Sequence, residues 1–261
     1  MKIVFLNIWG GKVYAPLMDF VRASAPDTDI FCLQEIFDTP ERGRVVGWGG
    51  RADIWQDVRA ALPGFESHHA VAVRDFDGDG PTGYPLALGN AICAKKSIAV
   101  LSQGDMIISG EHWQGPGTSE IFPHLLQYIR FEKDDTRYTV ANVHGVAYPG
   151  HKRDTPDRIA QSEKIVEFLA GEAGVRILGG DFNLMPDTES IRMIEQTGMR
   201  NLIADFGIAT TRSELSYAQY PPDDRQHFAD FAFVSPEARV VDFRVPRVNI
   251  SDHLPLVLSL A

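Results

Sequence analysis

The chain's 261 residues are enough for one large domain with a buried core, and its 44% hydrophobic and 23% charged residues suit an ordinary globular protein. No apolar run approaches the ~18 residues of a membrane span, and the opening KIVFLNIW is too short for a signal sequence, so a membrane-spanning or exported chain is not expected. A net charge of −10, from 25 basic against 35 acidic side chains, argues against extensive binding to duplex DNA.

In chain order, the first strand is expected over 2–8, followed by a helix over 16–24 that opens on Pro16. A strand at 29–34 and a helix at 53–62, stopped by Pro63, come next. Strand-like runs then recur at 67–73, 87–94, 98–101, 124–132 and 136–143. The helix at 156–170 has Thr155 as its N-cap and Pro156 in its first turn. After a strand at 175–179, a helix over 188–197 ends at Gly198, and strands close the chain at 227–234, 238–245 and 254–260. Eleven strands, often consecutive, with four helices predict an α+β fold with two packed sheets in a single domain over 1–261. Long loops are expected at 38–52, 74–86, 102–123 and 210–226. Within the second, DFDGDG spaces carboxylates like a calcium loop, but Leu86 stands where the closing Glu belongs, so it is a turn. Cys32 and Cys93 sit in apolar runs; two buried free thiols in a reducing, cytoplasmic compartment is the simpler expectation, although a disulfide is open.

The strand VRILGGD runs straight into polar residues. Asp181 and Asn183, two apart in an extended chain, point to the same side. A polar strand end capping the next helix explains this stretch equally well taken alone. Other strands end the same way, with Asn7 in LNIW, Glu35 in LQE, His144 in ANVHG, and Asp252 with His253 in SDHLPL. Asp230 lies within HFADFAFV, where a carboxylate needs a partner or a shifted pKa. Together the set has a chemical logic. Carboxylates and an amide are hard oxygen ligands suited to Mg²⁺, two histidines can bind a phosphoryl group or move protons, and a buried Asp can orient an imidazole. No serine or cysteine has a nucleophile's setting, which leaves water.

The order of LN-W, LQE, the histidine after a strand, GDFN, AD before a strand and SDHLPL resembles the endonuclease/exonuclease/phosphatase superfamily, the DNase-I-like fold, from Asn7 to Leu256. The resemblance implies a four-layer α/β/β/α sandwich with two mostly antiparallel sheets face to face and helices outside. It implies metal-dependent hydrolysis of a phosphoester, with Mg²⁺ as cofactor and Mn²⁺ as an alternative. Where ANVHG stands, abasic-site endonucleases of the family carry a tyrosine-containing motif; His144 is instead similar to the branch of DNase I, deadenylases, sphingomyelinases and inositol-polyphosphate phosphatases.

By motif, Glu35 is the main metal ligand, Asn7 a ligand or positioner, and Asp252 a contact in the metal region. Asp181 would orient or deprotonate the attacking water and Asn183 would hold a phosphoryl oxygen. His144 and His253 would flank the phosphate, with Asp230 paired to His253. Asp181 and His253 must then approach within ~10 Å to share one phosphoryl group through a water. Two basic patches, Arg42, Arg44 and Arg51 after Glu35, and Lys152 and Arg153 with Arg158 after His144, are either solvated loops or anion-recruiting groups at the mouth. Arg158 and Gln161 are placed to brace the second patch. Trp48, Trp113 and Tyr148 are candidates for stacking, and as readily for packing. Three functions remain open: a monomeric hydrolase of a phosphorylated small molecule or single-stranded nucleic acid; a lipid phosphodiesterase of the sphingomyelinase type touching a membrane through Met106, Ile107, Ile108, Trp113 and Phe122; or a catalytically inactive binding module on the same fold.

Overall fold

The computed structural model describes residues 1–77, 80–112, 115, 122–219, 221 and 225–261. In chain order the strands are β1 (Lys2–Asn7), β2 (Ile30–Asp38), β3 (Phe65–Arg74), β4 (Ala87–Lys95), β5 (Val100–Ser109), β6 (His124–Lys133), β7 (Thr136–His144), β8 (Val175–Asp181), β9 (Arg200–Asn201), β10 (Asp230–Val234), β11 (Val240–Arg244) and β12 (Leu256–Leu260). The helices are α1 (Tyr14–Ser24), α2 (Ile54–Ala61), α3 (Pro156–Ala170), α4 (Glu189–Gln196), α5 (Leu202–Asp205) and α6 (Glu214–Tyr217). They build two six-stranded sheets, ordered β11-β12-β1-β2-β4-β3 and β5-β6-β7-β8-β10-β9.

Period-two alternation separates the layers. Ile3 and Phe5, Ile30 and Cys32, and Ile92 and Ala94 face the second sheet, where they join Leu126, Val140 and Leu178 in one cluster. Their alternates, Val4 and Leu6, Phe31 and Leu33, and Ala91 and Cys93, pack against Leu17 and Val21 of α1 and Ile54 and Val58 of α2. Ile165 of α3 and Ile191 of α4 cover the far side of the second sheet. Both faces of β1 are buried from Ile3 onward, as a strand sandwiched between layers requires. The result is the expected α/β/β/α sandwich. Gly179 explains itself here: a Cβ would lie 2.8 Å from the Phe5 ring, so the bare backbone lets the two sheets close together.

Each sheet holds one parallel pair at its centre, β1 with β2 and β7 with β8. The antiparallel neighbours β12 and β10 run the other way beside β1 and β8. The C-terminal ends of four parallel strands and the N-terminal ends of two antiparallel ones therefore meet at one edge of the sandwich. His144 pairs with Asp181 and Asp181 with Asp230 in register.

The four longer helices fall where expected, with Thr155 Oγ1 accepting from Arg158 N as the N-cap of α3. The expected loop over 102–123 is corrected: β5 continues through Ser109, Ile108 is buried, and Ile107 alone of Met106, Ile107 and Ile108 is exposed. Alternation with polar residues on an edge strand hid this continuation. Trp113 lies outside the described residues. The DFDGDG segment is a turn over its described part, with Asp77 Oδ1 accepting from Gly80 N. The short β9, α5 and α6 were not expected. Cys32 and Cys93 are free, and burial pushes the Cys93 thiol up to about 12. No helix among the described residues is long and apolar enough to cross a membrane.

Candidate active site

Glu35 owes its position to a break in β2. The β2–β4 register shifts between Leu33 and Ile36, and Glu35 takes φ +57°, a left-handed conformation that a bulge stabilises. The carboxylate is thereby turned out of the sheet into a cleft of about 370 Å³, which Asp252 and His144 also line. Asn7, at the end of β1, sits behind them. Its Nδ2 donates to Glu35 Oε1 and to Asp181 Oδ2, both at 3.0 Å, and its Oδ1 accepts from Trp9 N at 2.9 Å.

Asp181 is almost wholly buried, with Oδ1 accepting from Asn183 N at 2.9 Å. Asn183 adopts φ +55°, donates from Nδ2 to Gly145 O at 3.0 Å, and accepts from Lys152 Nζ. Asp181 Oδ2 lies 3.6 Å from His253 Nε2 and 3.9 Å from His144 Nε2, well inside the expected limit. His253 Nδ1 stands 2.9 Å from both carboxylate oxygens of Asp230. Thr211 Oγ1 accepts from Ala229 N and Asp230 N, and so fixes where β10 begins. Ser251 Oγ donates to Asn7 O at 2.7 Å and ties the 251–253 loop to β1.

Burial opposes ionisation of Asp181, yet His253, Lys152, His144 and Arg212 hold its carboxyl well below the usual range. Asp230 is pushed up, because desolvation outweighs the attraction of His253. His253 itself is lowered by burial and by Arg212, but Asp230, Asp252 and Asp181 carry it above its ordinary value. Burial raises Glu35 against the opposing pull of His144. Lys152 is lowered by burial while Asp181 works against the shift.

All eight proposed catalytic and metal residues thus gather at one edge. The basic patches divide. Lys152 belongs to the site, but Arg42 binds Asp57 at 2.9 Å and Gln56 at 3.1 Å, and Arg51 lies within 4 Å of Asp53 and Asp57. Arg44 pairs with Glu41 and covers the Tyr84 ring. These three arginines are held by their own neighbours, and the loop contributes Trp48 to the cleft instead. Arg153 pairs with Asp187. Arg158 is fully buried and donates to the carbonyls of Val146, Ala147, Pro149 and Arg153, so of its two expected roles it is placed to brace the loop and not to bind substrate. Gln161 Oε1 accepts from Val146 N and braces the same loop.

Three residues escaped the sequence. Arg212 donates from Nη2 to Asp252 Oδ2 at 2.7 Å and from Nε to Ser216 Oγ at 3.0 Å, and its Nη1 lies against His253 Nε2. His124 stacks on Phe122 and meets the edge of His144, and burial followed by His144 takes its pKa down to about 3, leaving it neutral. Lys12 lines the cleft with its ammonium 4.3 Å from the Trp9 ring. None has a local motif; each depends on chain crossings that only the fold supplies.

The donor set fits a hard divalent cation. Glu35 and Asp252 offer carboxylates to the cleft, Asn7 lies between them and Asp181, and no thiol intrudes. A second group, Asp181, Asp230 and His253, has ligand atoms within 4.8 Å of one another.

A family profile described as Endonuclease/Exonuclease/phosphatase family matches residues 4–253. A comparison with curated proteins gives no match. Among solved structures, an endonuclease/exonuclease/phosphatase family protein from Leptotrichia buccalis superposes with a TM-score of 0.73 at 14% identity, covering 100% of this chain and 99% of its own. The mannosyl-6-phosphatase Bt3783 of Bacteroides thetaiotaomicron gives 0.66 at 17%, covering 100% and 99%. The human Nocturnin catalytic domain with bound sulfate gives 0.66 at 17%, covering 100% and 94%. At these identities the likeness is one of fold.

Proposed function

The chain belongs to the endonuclease/exonuclease/phosphatase family, and we propose that it is a Mg²⁺-dependent phosphoester hydrolase that uses water as nucleophile. The observation that carries this reading is the row Asp230, His253, Asp181, in which His253 bonds Asp230 through Nδ1 and faces Asp181 through Nε2. Such a row holds an imidazole in one tautomer beside a carboxylate kept ionised. Glu35, Asn7 and Asp252 are the residues that would hold Mg²⁺. The bound ion would supply charge for a phosphoryl oxygen and developing oxyanions.

The chain's own groups account for the rest. Asp181, ionised and buried, orients the attacking water or accepts its proton. Asn183, fixed by Gly145 and Lys152, presents its amide to a phosphoryl oxygen. His144 and His253 flank the phosphoryl group. One stabilises charge and the other assists the leaving oxygen, since protonation there is worth ~10²–10⁴-fold. Complete site chemistry supports an enzyme over an inert module.

The substrate we assign is a phosphorylated small molecule or a single-stranded nucleic acid. A cleft of about 370 Å³ with Trp48, Tyr148 and Lys12 on its walls suits a compact anion carrying a flat group. The lipid alternative loses support with Ile108 buried in β5. Free Cys32 and Cys93 favour a reducing, cytoplasmic setting, and we propose that the protein acts as a monomer.

The test is turnover on a panel of nucleotides, sugar phosphates, single-stranded DNA, RNA, sphingomyelin and phosphoinositides, with Mg²⁺ and with EDTA. Glu35→Gln keeps the shape and removes the charge. It should weaken Mg²⁺ binding and lower activity at least ~10²-fold with the melting temperature preserved, the scale of losing one charge-stabilising group. Turnover that survives EDTA would overturn the reading.

A further inference from the structure

We propose that Lys152 and Arg212 take the place of a second divalent ion beside Asp181, Asp230 and His253, so that the site loads one ion only, at Glu35. The inference rests on the phosphoesterase reading and deepens it.

Asp181, Asp230 and His253 have the composition and closeness of an ion-binding trio. Their ligand atoms are nevertheless spoken for. Both Asp230 oxygens face His253 Nδ1, and Arg212 Nη1 faces His253 Nε2. Asp181 Oδ1 accepts from Asn183 N, and its Oδ2 accepts from Asn7 Nδ2.

The two cations are built in rather than passing through. Lys152 is buried, holds the left-handed φ of +55°, and accepts from Met185 N at its carbonyl, which locks it to the segment carrying Asn183. Its ammonium is spent on Asn183 Oδ1. Arg212 is buried too, and Ser216, Asp252 and His253 fix its guanidinium from three sides. Arg212 pairs with Asp252 at 2.7 Å beside His253 and Lys152 bonds Asn183, so two buried unit charges already stand next to this trio. A dication placed among them would meet like charges at short range in a poorly screened interior. The Glu35 side differs. Its carboxylate opens to the cleft, with His144 Nε2 at 3.9 Å.

Ion counting decides. Titrating the whole protein with Mn²⁺, followed by calorimetry and by electron paramagnetic resonance, should give one ion per chain, lost in Glu35→Gln. Two ions in the wild type, the second lost in Asp230→Asn, would overturn the proposal and leave the phosphoesterase reading intact. No ion at all would overturn that reading as well, so the count separates the two failures. The double variant Lys152→Met/Arg212→Gln, which keeps bulk and removes both charges, should bind a second Mn²⁺. A folded double variant that still binds one would show that the cations replace nothing. If it does not fold, Lys152→Met alone, which leaves Arg212 and its anchors in place, carries the same test: a second, weaker Mn²⁺ supports the replacement and a single ion overturns it.

Discussion

Asp230 is a carboxylate placed between the fully buried Phe231 and Ala229, with 2% of its surface exposed. A charge there is costly unless a donor is close, and His253 Nδ1 is that donor at 2.9 Å. Asp230→Asn should reverse or loosen the imidazole and depress activity by orders of magnitude; disabling the orienting Asp of a serine protease costs about 10⁴ in rate. The losses should be non-additive: after His253→Ala, removing Asp230 should cost little more. Losses that multiply would show two independent residues. The pair also has a pH signature. With its folded pKa above the ordinary ~6.5, the His253 imidazolium contributes stability that is complete below that pH and lost as pH rises through the folded value. In Asp230→Asn the imidazole titration, followed by NMR, should move down and this alkaline loss should shrink. The sequence exposed Asp230 because its apolar neighbours made it anomalous. Arg212 carried no such mark, since TTRSEL is an ordinary polar stretch until a bridge sets Arg212 against His253.

Elements, more than residues, were legible. Strand ends and helix caps are local events: Thr155 capped α3 as its side chain predicts, and Gly198 with φ +86° followed α4. The basic loop after His144 was legible in position but not in use. Its chemistry turns on Arg158, which reaches back from α3 to four carbonyls and holds the backbone from 146 to 153, Lys152 included. Arg158→Met keeps much of the stem's packing and leaves those carbonyls without their donor. Each bond of a buried charged donor is worth ~1.5–3 kcal/mol, so a net loss of about 3 kcal/mol or more is expected in urea unfolding. Arg158→Lys should recover only part, because an ammonium cannot reproduce the planar fork. Stability unchanged in both variants would mean that the loop holds itself.

At the scale of the whole molecule, the site is a product of topology. Either sheet alone carries half of it: Asn7, Glu35 and the Asp252–His253 loop come with the first, and His144, Asp181 and Asp230 with the second. Periodicity predicted two sheets; their pairing order, and hence which loops become neighbours, rests on contacts far apart in the chain that no local pattern encodes. The same scale governs how the protein meets a polyanion. Its charge of −10 is spread over a surface whose candidate recruiting arginines are paired, Arg42 with Asp57, Arg44 with Glu41 and Arg153 with Asp187. With these arginines paired and the surface net acidic, little counterion displacement from a duplex is expected, and binding to duplex DNA should be weaker than the about 10⁻⁴–10⁻⁶ M of ordinary nonspecific binders. Fluorescence anisotropy with a labelled duplex and the Glu35→Gln variant, which avoids cleavage, measures this directly. The logarithmic salt slope should be shallow, about −2 or less in magnitude, against the −5 to −9 that six to ten phosphate contacts would give. Micromolar affinity with a steep slope would mean that the paired arginines release their partners for DNA, and the preference for small or single-stranded substrates would fall with it.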